Sequence, residues 1–284
     1  MKSAEPFVLC ADDYGFAPGI SAGIRELLVA GRLSATSCLV ASPHWPEDAP
    51  ALRALDVDAD IGLHLALTQV APLGPMPRLA PSGRLPMPPK LILLAYAGRL
   101  DREEIGREID RQLDAFEQAM GRPPDYVDGH HHSQQLPVVR DALIDRFRKR
   151  LPPGTALRVC HEPFGAIRAR GSSLLPATVI SAIGSGLKRA AEQAGIPCNR
   201  RFSGVRSFTE KTPYRTLFRQ YIRGGPRGLA VMCHPGHADD ALRALDHVVE
   251  AREGELAYLS GPEFPVDIAE AGLRLGRFRE VAAR

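Results

Sequence analysis

Two neighbouring aspartates are the first residues of this 284-residue chain whose type and spacing suit hydrolytic chemistry. Asp12 and Asp13 follow an apolar run, and consecutive side chains that leave a strand point in different directions. One carboxylate of such a pair can bind a cation while the other accepts a proton. The pair alone leaves a second interpretation open, because Asp also caps helices and the following Gly15 favours a turn.

The string Asp128-Gly-His-His-His132 is the least common feature of the sequence. Consecutive side chains diverge, so at most one or two of these histidines can face one metal ion, unless the run is a surface run without function. We expect His130 to face the metal and His132 to lie on the same side, where it would contact a substrate or support a metal ligand. His64, which taken alone suits a core position, joins Asp13 and His130 in a set of two histidines and one carboxylate. Such a set leaves positions open for water and substrate, as a catalytic divalent cation requires.

Four more residues are predicted at the site. His234 ends an apolar run just before Pro-Gly and is a candidate general acid, because the pKa of histidine lies near working pH; a structural histidine is the alternative. Arg158 would orient Asp12 or a substrate oxygen, or form a surface ion pair. Trp45, the only tryptophan, would stack on a sugar ring or pack in the core, and Tyr14 is included among the substrate-binding residues.

Short apolar runs precede most of these residues and predict the strands that position them. The runs cover residues 7–11, 35–40, 60–63, 125–127, 156–159 and 229–233. Helical patterns lie between them, most clearly at residues 102–120 and 137–150. This alternation predicts parallel strands with crossover helices in a single domain over residues 1–284. In a β/α barrel the active site forms at the carboxyl ends of the strands, so one mouth would gather all the candidate residues.

Composition excludes several classes of protein. The chain has 36 Lys and Arg against 33 Asp and Glu, without a basic run, so we expect no nucleic-acid partner. Five scattered cysteines without a C-x-x-C motif fit reduced thiols. No apolar stretch approaches the length of a membrane span, and the first residues lack the layout of a signal peptide. These features predict a cytoplasmic protein without a membrane span.

Six segments, in this order, resemble the YdjC-like carbohydrate deacetylases, the family that includes the chitooligosaccharide and the hopanoid-biosynthesis-associated deacetylases. They are Ala11-Asp-Asp-Tyr-Gly15, Gly31-Arg-Leu-Ser-Ala-Thr-Ser37, Gly62-Leu-His-Leu-Ala-Leu-Thr68, Gly121-Arg-Pro-Pro-Asp125, Asp128-Gly-His-His-His132 and Val231-Met-Cys-His-Pro-Gly236. The chain departs from the family pattern after His132, where Ser133-Gln134 stands in place of a further histidine.

The resemblance implies a distorted (β/α) barrel, TIM-like and of the polysaccharide-deacetylase type. It also implies a hydrolase that removes an N-acetyl group from a sugar with the help of a metal ion and releases acetate. Carried over by position, Asp13, His64 and His130 would hold the metal, Asp12 would activate the water and His234 would protonate the leaving amine. This mechanism predicts a bell-shaped pH profile.

Several points stay open at this stage. The cofactor is one divalent ion, Mg²⁺ or Zn²⁺, with Mn²⁺ or Co²⁺ as further choices, and imidazole ligands disfavour Mg²⁺. The substrate is a small-molecule or a lipid-linked N-acetylated sugar, and residues 162–206 are expected to set the choice. Residues 70–89 carry seven prolines and predict a long ordered loop. Residues 91–96 predict a buried helix, a subunit interface of a homodimer or a cover for a lipid-linked substrate. The alternatives are a silent sugar-binding barrel and a metal hydrolase that acts on another bond.

Overall fold

A sheet of mainly parallel strands forms the centre of the chain. The computed structural model describes residues 4–207, 212–246 and 248–283. Its strands are β1 Glu5–Tyr14, β2 Ala35–Cys38, β3 Asp60–Leu65, β4 Tyr126–Gly129, β5 Ala156–Leu157, β6 Cys198–Asn199, β7 Arg201–Ser203, β8 Leu229–Cys233, β9 Leu273–Leu275 and β10 Ala282–Ala283.

Eight of these strands nearly close a barrel. Their order is β6-β5-β4-β3-β2-β1-β8-β7, and every neighbouring pair is parallel. The edge strands β6 and β7 are consecutive in the chain, and Asn199 Nδ2 donates to the carbonyl oxygen of Arg201 at 3.0 Å between them. The short β9 pairs with the start of β1, and β10 is antiparallel to β6. The predicted distorted (β/α) barrel is confirmed.

Helices cover the outside of the barrel. They are α1 Pro18–Val29, α2 Trp45–Arg53, α3 Pro88–Tyr96, α4 Arg102–Met120, α5 Val139–Lys149, α6 Phe164–Arg170, α7 Leu174–Ala194, α8 Tyr214–Tyr221, α9 Asp240–Leu245, α10 Glu250–Ser260, α11 Glu263–Glu270 and α12 Phe278–Val281, with one 3₁₀ turn at His130–Gln135. The helix α4 has the predicted bounds, because the side chain of Asp101 caps its first backbone N–H groups and Gly121 ends it with φ 71°.

Alternation along β1 explains why acidic groups reach the mouth of the barrel. Side chains of a strand alternate between its two faces. Phe7 and Leu9 face the large core beneath the helices, whereas Val8 and Cys10 belong to a smaller buried cluster with Tyr126. Asp12 continues the series of Val8 and Cys10, so it lies above this cluster, where the strands end.

Three segments differ from the sequence-based expectation. The helix α3 begins inside the proline-rich segment, at Pro88, because proline is tolerated in the first turn of a helix. Its Leu91 is buried, but Leu93 and Tyr96 are exposed, so residues 91–96 are only partly a buried helix. The strands β6 and β7 are absent from the predicted strands, because two or three residues are too few to show a periodicity.

Two expectations from composition can be compared with the structure. All five cysteines are buried free thiols. Among the described residues, none of the helices combines the length and the apolar character that crossing a membrane requires.

Candidate active site

The acidic pair lies at the carboxyl end of β1, and its two carboxylates have different surroundings. Both residues are only 2% exposed. The register between β1 and β2 shifts between Ala11 and Tyr14, and Asp13 has φ 73°, in the left-handed region. Such a bulge redirects the side chains that follow it. The two adjacent aspartates therefore contact different parts of the barrel.

Asp13 lies beside the two predicted histidine ligands. Its Oδ1 is 3.5 Å from His64 Nε2 and 3.1 Å from His130 Nδ1. These three atoms all lie within 4.8 Å of one another. The structure thus brings together the three residues that the sequence predicted as metal ligands.

The positions of the ring hydrogens of His64 and His130 decide whether this set can bind a cation. His64 Nδ1 lies 2.6 Å from Asp128 Oδ1 and must carry the hydrogen, since a carboxylate only accepts. His130 Nε2 lies 2.9 Å from Gln69 Oε1, another acceptor. When each ring carries only that hydrogen, as it would with a cation bound, its other nitrogen turns a lone pair toward Asp13. Asp13 Oδ1 is buried and has no hydrogen-bond partner among the described residues. Three acceptors that converge in this way fit a divalent cation, and Asp128 holds His64 as outer-shell carboxylates do in metal sites.

An arginine occupies the space between a second group of possible ligands, which consists of Cys10, Asp12 and Asp128. Arg158 Nη1 and Nη2 donate to the two oxygens of Asp12 at 2.5 and 2.6 Å, and Arg158 Nε lies 3.1 Å from Asp128 Oδ2. Arg158 is completely buried. Of the two predicted roles for this residue, the geometry matches the one that orients Asp12, and it leaves no surface ion pair.

The charge state of Asp12 follows from that arginine. Burial raises the pKa of Asp12, but the charge of Arg158 and its hydrogen bonds lower it more, to well below the ordinary value of 3.8. Asp12 is therefore ionised at neutral pH and held in a fixed orientation by a two-point contact.

Asp13 has its own arginine, which sequence reasoning missed. Arg252 Nη2, on α10, donates to Asp13 Oδ2 at 2.8 Å and to Asp246 Oδ2 at 3.2 Å. Burial raises the pKa of Asp13, and Arg252 lowers it more, to well below its ordinary value. Nothing local in the sequence distinguishes Arg252 or Asp246, because both follow the last motif of the chain. The role of Asp128 could have been predicted from the sequence, since this residue belongs to the histidine string itself.

The three consecutive histidines point to different partners. His131 and His132 have φ 51° and 56°, in the left-handed region. His131 Nδ1 lies 2.9 Å from Thr68 Oγ1, and His132 Nδ1 lies 3.3 Å from Cys160 Sγ. Burial lowers the pKa of His131 to about 2 and that of His132 to about 3, so both rings are neutral. For His64, by contrast, burial lowers the pKa, but the charge and the hydrogen bond of Asp128 raise it more, to about 10.

His234 completes the polar side of the site. It follows β8, its backbone N–H donates to Glu255 Oε2 at 2.6 Å, and its ring lines the same cavity as Asp12 and Asp13. Burial lowers the pKa of His234, although Asp12 and Asp13 act in the opposite direction. A lowered pKa makes the protonated ring a stronger acid, and it also leaves the ring mostly neutral at neutral pH.

These residues form one side of a cavity of about 410 Å³. The other side consists largely of aliphatic side chains from α3 and α7, with Ile92, Val179, Ile180 and Ile183 among them. No Phe, Tyr or Trp is among the described residues that line it. A larger cavity of about 580 Å³, between α8 and α11, contains none of the predicted site residues.

Two predicted substrate contacts lie outside the cavity. Tyr14 is fully buried, and its hydroxyl donates to the carbonyl oxygen of Asp48 at 2.8 Å. Trp45 is 4% exposed and stacks on Phe116 with 6.2 Å between ring centroids. Neither side chain lines the cavity, so the predicted substrate contacts of Tyr14 and Trp45 are corrected to packing in the core. Of the remaining two, His132 lines the cavity, and Arg158 lies behind Asp12.

Fold and site together define a (β/α) barrel with a candidate divalent-cation centre at the carboxyl ends of its strands. A family model described as YdjC-like protein matches residues 6–270, and the chain belongs to this family. A chitooligosaccharide deacetylase of Enterobacter sp. (strain 638) is 30% identical over 278 residues, which cover 96% of this chain and 98% of that protein. A chitooligosaccharide deacetylase of Serratia marcescens is 28% identical over 278 residues, with the same coverage of 96% and 98%.

A solved structure supports the fold. A crystal structure from Enterococcus faecalis V583, described as that of a candidate cellobiose-phosphate cleavage protein, matches with a TM-score of 0.73. The match covers 99% of this chain and 100% of that one, at 20% sequence identity. At this identity the likeness concerns the fold and not the activity.

Proposed function

We propose that the protein is a metal-dependent carbohydrate N-deacetylase, a hydrolase that removes an N-acetyl group from an amino sugar and releases acetate. The observation that carries this proposal is the convergence of Asp13, His64 and His130 on one point beside Asp12 and His234 in a single cavity. Membership of the YdjC-like family and the name shared by its relatives support the same reaction.

In this proposal Asp13, His64 and His130 hold the divalent cation. When bound, such an ion polarises the acetyl carbonyl and lowers the pKa of water toward neutrality. Two imidazoles and one carboxylate favour Zn²⁺, Mn²⁺ or Co²⁺ over Mg²⁺ on ligand preference, and availability in the cell also decides.

Two residues of the chain move protons in the reaction. Asp12, ionised and fixed by Arg158, accepts the proton of the attacking water as general base. His234, once protonated, donates a proton to the sugar nitrogen as the C–N bond breaks, and burial makes its protonated ring a stronger acid. A binding protein would need neither a base nor an acid, so this arrangement supports the enzyme over the silent sugar-binding barrel.

The substrate class follows from the two sides of the cavity. The polar side suits an acetamido group, whereas the aliphatic side offers burial and few hydrogen-bonding groups. Sugar hydroxyls gain little from such a wall, so it favours a lipid-linked N-acetylated sugar over a free small-molecule sugar. Residues 162–206, which include α7, would then select the substrate as the sequence predicted.

We also infer a cytoplasmic location and a homodimer, each from one feature. Five buried free thiols suit a reducing compartment. The exposed Leu93 and Tyr96 of α3 suit a surface that a second copy covers. Fractionation of cells and sedimentation velocity test the two inferences.

The experiment is acetate release by metal-stripped protein that is resupplied with Zn²⁺, Mg²⁺, Mn²⁺ or Co²⁺. The substrates are N-acetylglucosamine, chitobiose, longer chitooligosaccharides and lipid-linked acetylamino sugars. We expect metal-dependent release that is lost in Asp12→Asn and unchanged in Asp56→Asn, an exposed aspartate away from the cavity. Sugar binding without acetate release would favour the silent barrel, and release of phosphate from phosphorylated sugars would favour the other hydrolase.

A further inference from the structure

The long proline-rich segment after Thr68 places one side chain, Gln69, behind a proposed cation ligand. Gln69 Oε1 lies 2.9 Å from His130 Nε2, and Gln69 Nε2 donates to the carbonyl oxygen of Leu245 at 3.2 Å. A backbone carbonyl only accepts, so the amide nitrogen of Gln69 must face Leu245. Its oxygen must then accept the hydrogen of His130 Nε2.

This contact decides which nitrogen of His130 has a lone pair. With the hydrogen on Nε2, the neutral ring presents its lone pair on Nδ1, the atom 3.1 Å from Asp13 Oδ1. The two histidines of the centre thus use different nitrogens. His64 is held through Nδ1 by the charged Asp128, and His130 is held through Nε2 by the neutral amide of Gln69.

The backbone of Gln69 is fixed by the segment that follows it. Its φ is 70°, in the left-handed region, which a residue with a side chain adopts only where its surroundings impose it. Gln69 N–H donates to the carbonyl oxygen of Pro86 at 3.2 Å, and Arg84 Nε donates to the carbonyl oxygen of Gln69 at 3.1 Å. Next to it, Leu85 N–H donates to the carbonyl oxygen of Val70 at 2.9 Å. The end of the segment thus folds back onto its start, and these hydrogen bonds fix the backbone of Gln69.

We propose that Gln69 is a positioning residue that orients His130 for cation binding, and that residues 70–86 serve to hold it there. This inference rests on the cation centre of the proposed function. It assigns a task to the proline-rich segment, whose side chains otherwise take no part in the proposed reaction. The prolines suit that task, because they reduce the freedom of the unfolded segment and so lower the cost of ordering it.

The test measures cation affinity on metal-stripped protein by titration calorimetry, without any substrate. Gln69→Met keeps the length of the side chain and removes the acceptor, so we expect Zn²⁺ affinity to fall by about 10–100-fold. Gln69→Glu keeps an acceptor toward His130 and should bind Zn²⁺ at least ten times more tightly than Gln69→Met. Gln118→Met, at an exposed position of α4, is the matched control and should bind like wild type.

A second measurement separates positioning from a merely structural role. In ¹⁵N spectra of the histidine rings, Zn²⁺-loaded wild-type protein should show His130 with its hydrogen on Nε2 and the ion on Nδ1, and Gln69→Met should lose that single tautomer. Gln69 is only half-buried, so we expect both variants to fold, and thermal unfolding checks it. Wild-type affinity together with an unchanged tautomer in Gln69→Met would overturn the inference. So would a Gln69→Glu variant as weak as Gln69→Met, because the bond to Leu245 would then be the one that matters.

The two measurements also separate this inference from the proposed function. A protein that binds Zn²⁺ but releases no acetate would contradict the deacetylase and leave the role of Gln69 intact. A deacetylase in which Gln69→Met keeps its cation affinity and its tautomer would contradict only the role of Gln69.

Discussion

Asp12 and Asp13 are adjacent in the chain, yet the regions around them differ in what they leave free. Both oxygens of Asp12 are held by Arg158, a residue of the barrel wall that is itself completely buried. Asp13 is held by Arg252 through Oδ2 alone, and its Oδ1 remains turned toward His64 and His130. Arginine thus holds both oxygens of Asp12, whereas one oxygen of Asp13 stays free to bind a cation.

The difference shows how two identical side chains can take different tasks. A carboxylate with both oxygens in a guanidinium fork is fixed and stays ionised, so it is ready to accept a proton from a water placed beside it, although its lowered pKa makes it a weaker base. A carboxylate with one oxygen turned to two imidazole lone pairs suits a cation ligand. The bulge in β1 creates this division, because it sends Asp12 into the barrel and Asp13 toward α10.

The largest expected effect comes from exchanging each carboxylate for an amide. Asp12→Asn should lower kcat by about 10²–10⁴-fold, because a general base is lost, while Zn²⁺ affinity stays within a few-fold of wild type. Asp13→Asn should lower Zn²⁺ affinity by at least about 100-fold, because a ligand is lost, and activity with it. Calorimetry and acetate release on both variants measure the two effects. If both variants lost cation affinity equally, the division of tasks would be wrong.

The arginines offer the next test. Replacing Arg158 by Met leaves two buried carboxylates, Asp12 and Asp128, without their cation, so the free energy of unfolding should fall by about 3–5 kcal/mol. Arg252→Met should cost less, because Asp246, one of its two partners, is partly exposed. Denaturant unfolding of both variants measures the difference. If Arg158→Met lowered the free energy of unfolding by less than about 1 kcal/mol, Arg158 would not be needed to stabilise Asp12 and Asp128.

Adding a cation should stabilise the folded protein wherever Asp13 is intact. At a free concentration of one hundred times Kd, the gain is about 2.7 kcal/mol, which raises Tm by about 5–10 °C in a chain of this size. Wild type and Asp12→Asn should both show this rise, whereas Asp13→Asn should not. Differential scanning fluorimetry with and without Zn²⁺ is the measurement, and a rise in Asp13→Asn would place the cation elsewhere.

The smallest expected effect concerns Tyr14, the residue that follows Asp12 and Asp13 in the chain. Its hydroxyl donates to Asp48 and accepts from Arg25 Nη1 at 2.9 Å, away from the cavity. Tyr14→Phe should therefore cost about 0.5–1.5 kcal/mol of stability and leave KM unchanged. A rise in KM of tenfold or more would restore Tyr14 as a substrate contact.

The sequence was sufficient where a pattern is local. Apolar runs with polar ends predicted β1, β3, β4 and β8, and with them the positions of Asp13, His64, His130 and His234 around one cavity. The bounds of α4 followed from its apolar spacing.

The rest depends on contacts that no local pattern carries. Arg252 meets Asp13 from 239 residues away, and Gln69 meets His130 only because the proline-rich segment folds back on itself. Trp45 and Tyr14 were misplaced because residue type and a nearby strand end do not reveal which way a side chain points. Tyr14 packs against Trp45 of α2, and Trp45 stacks on Phe116 of α4, so both side chains are buried in the core and not exposed at the mouth.

The most direct test of the division between Asp12 and Asp13 is an anomalous difference map from crystals of the metal-stripped protein loaded with Zn²⁺. We expect one peak at about 2.0–2.2 Å from Asp13 Oδ1, His64 Nε2 and His130 Nδ1. A peak among Cys10, Asp12 and Asp128, with Arg158 displaced, would contradict it.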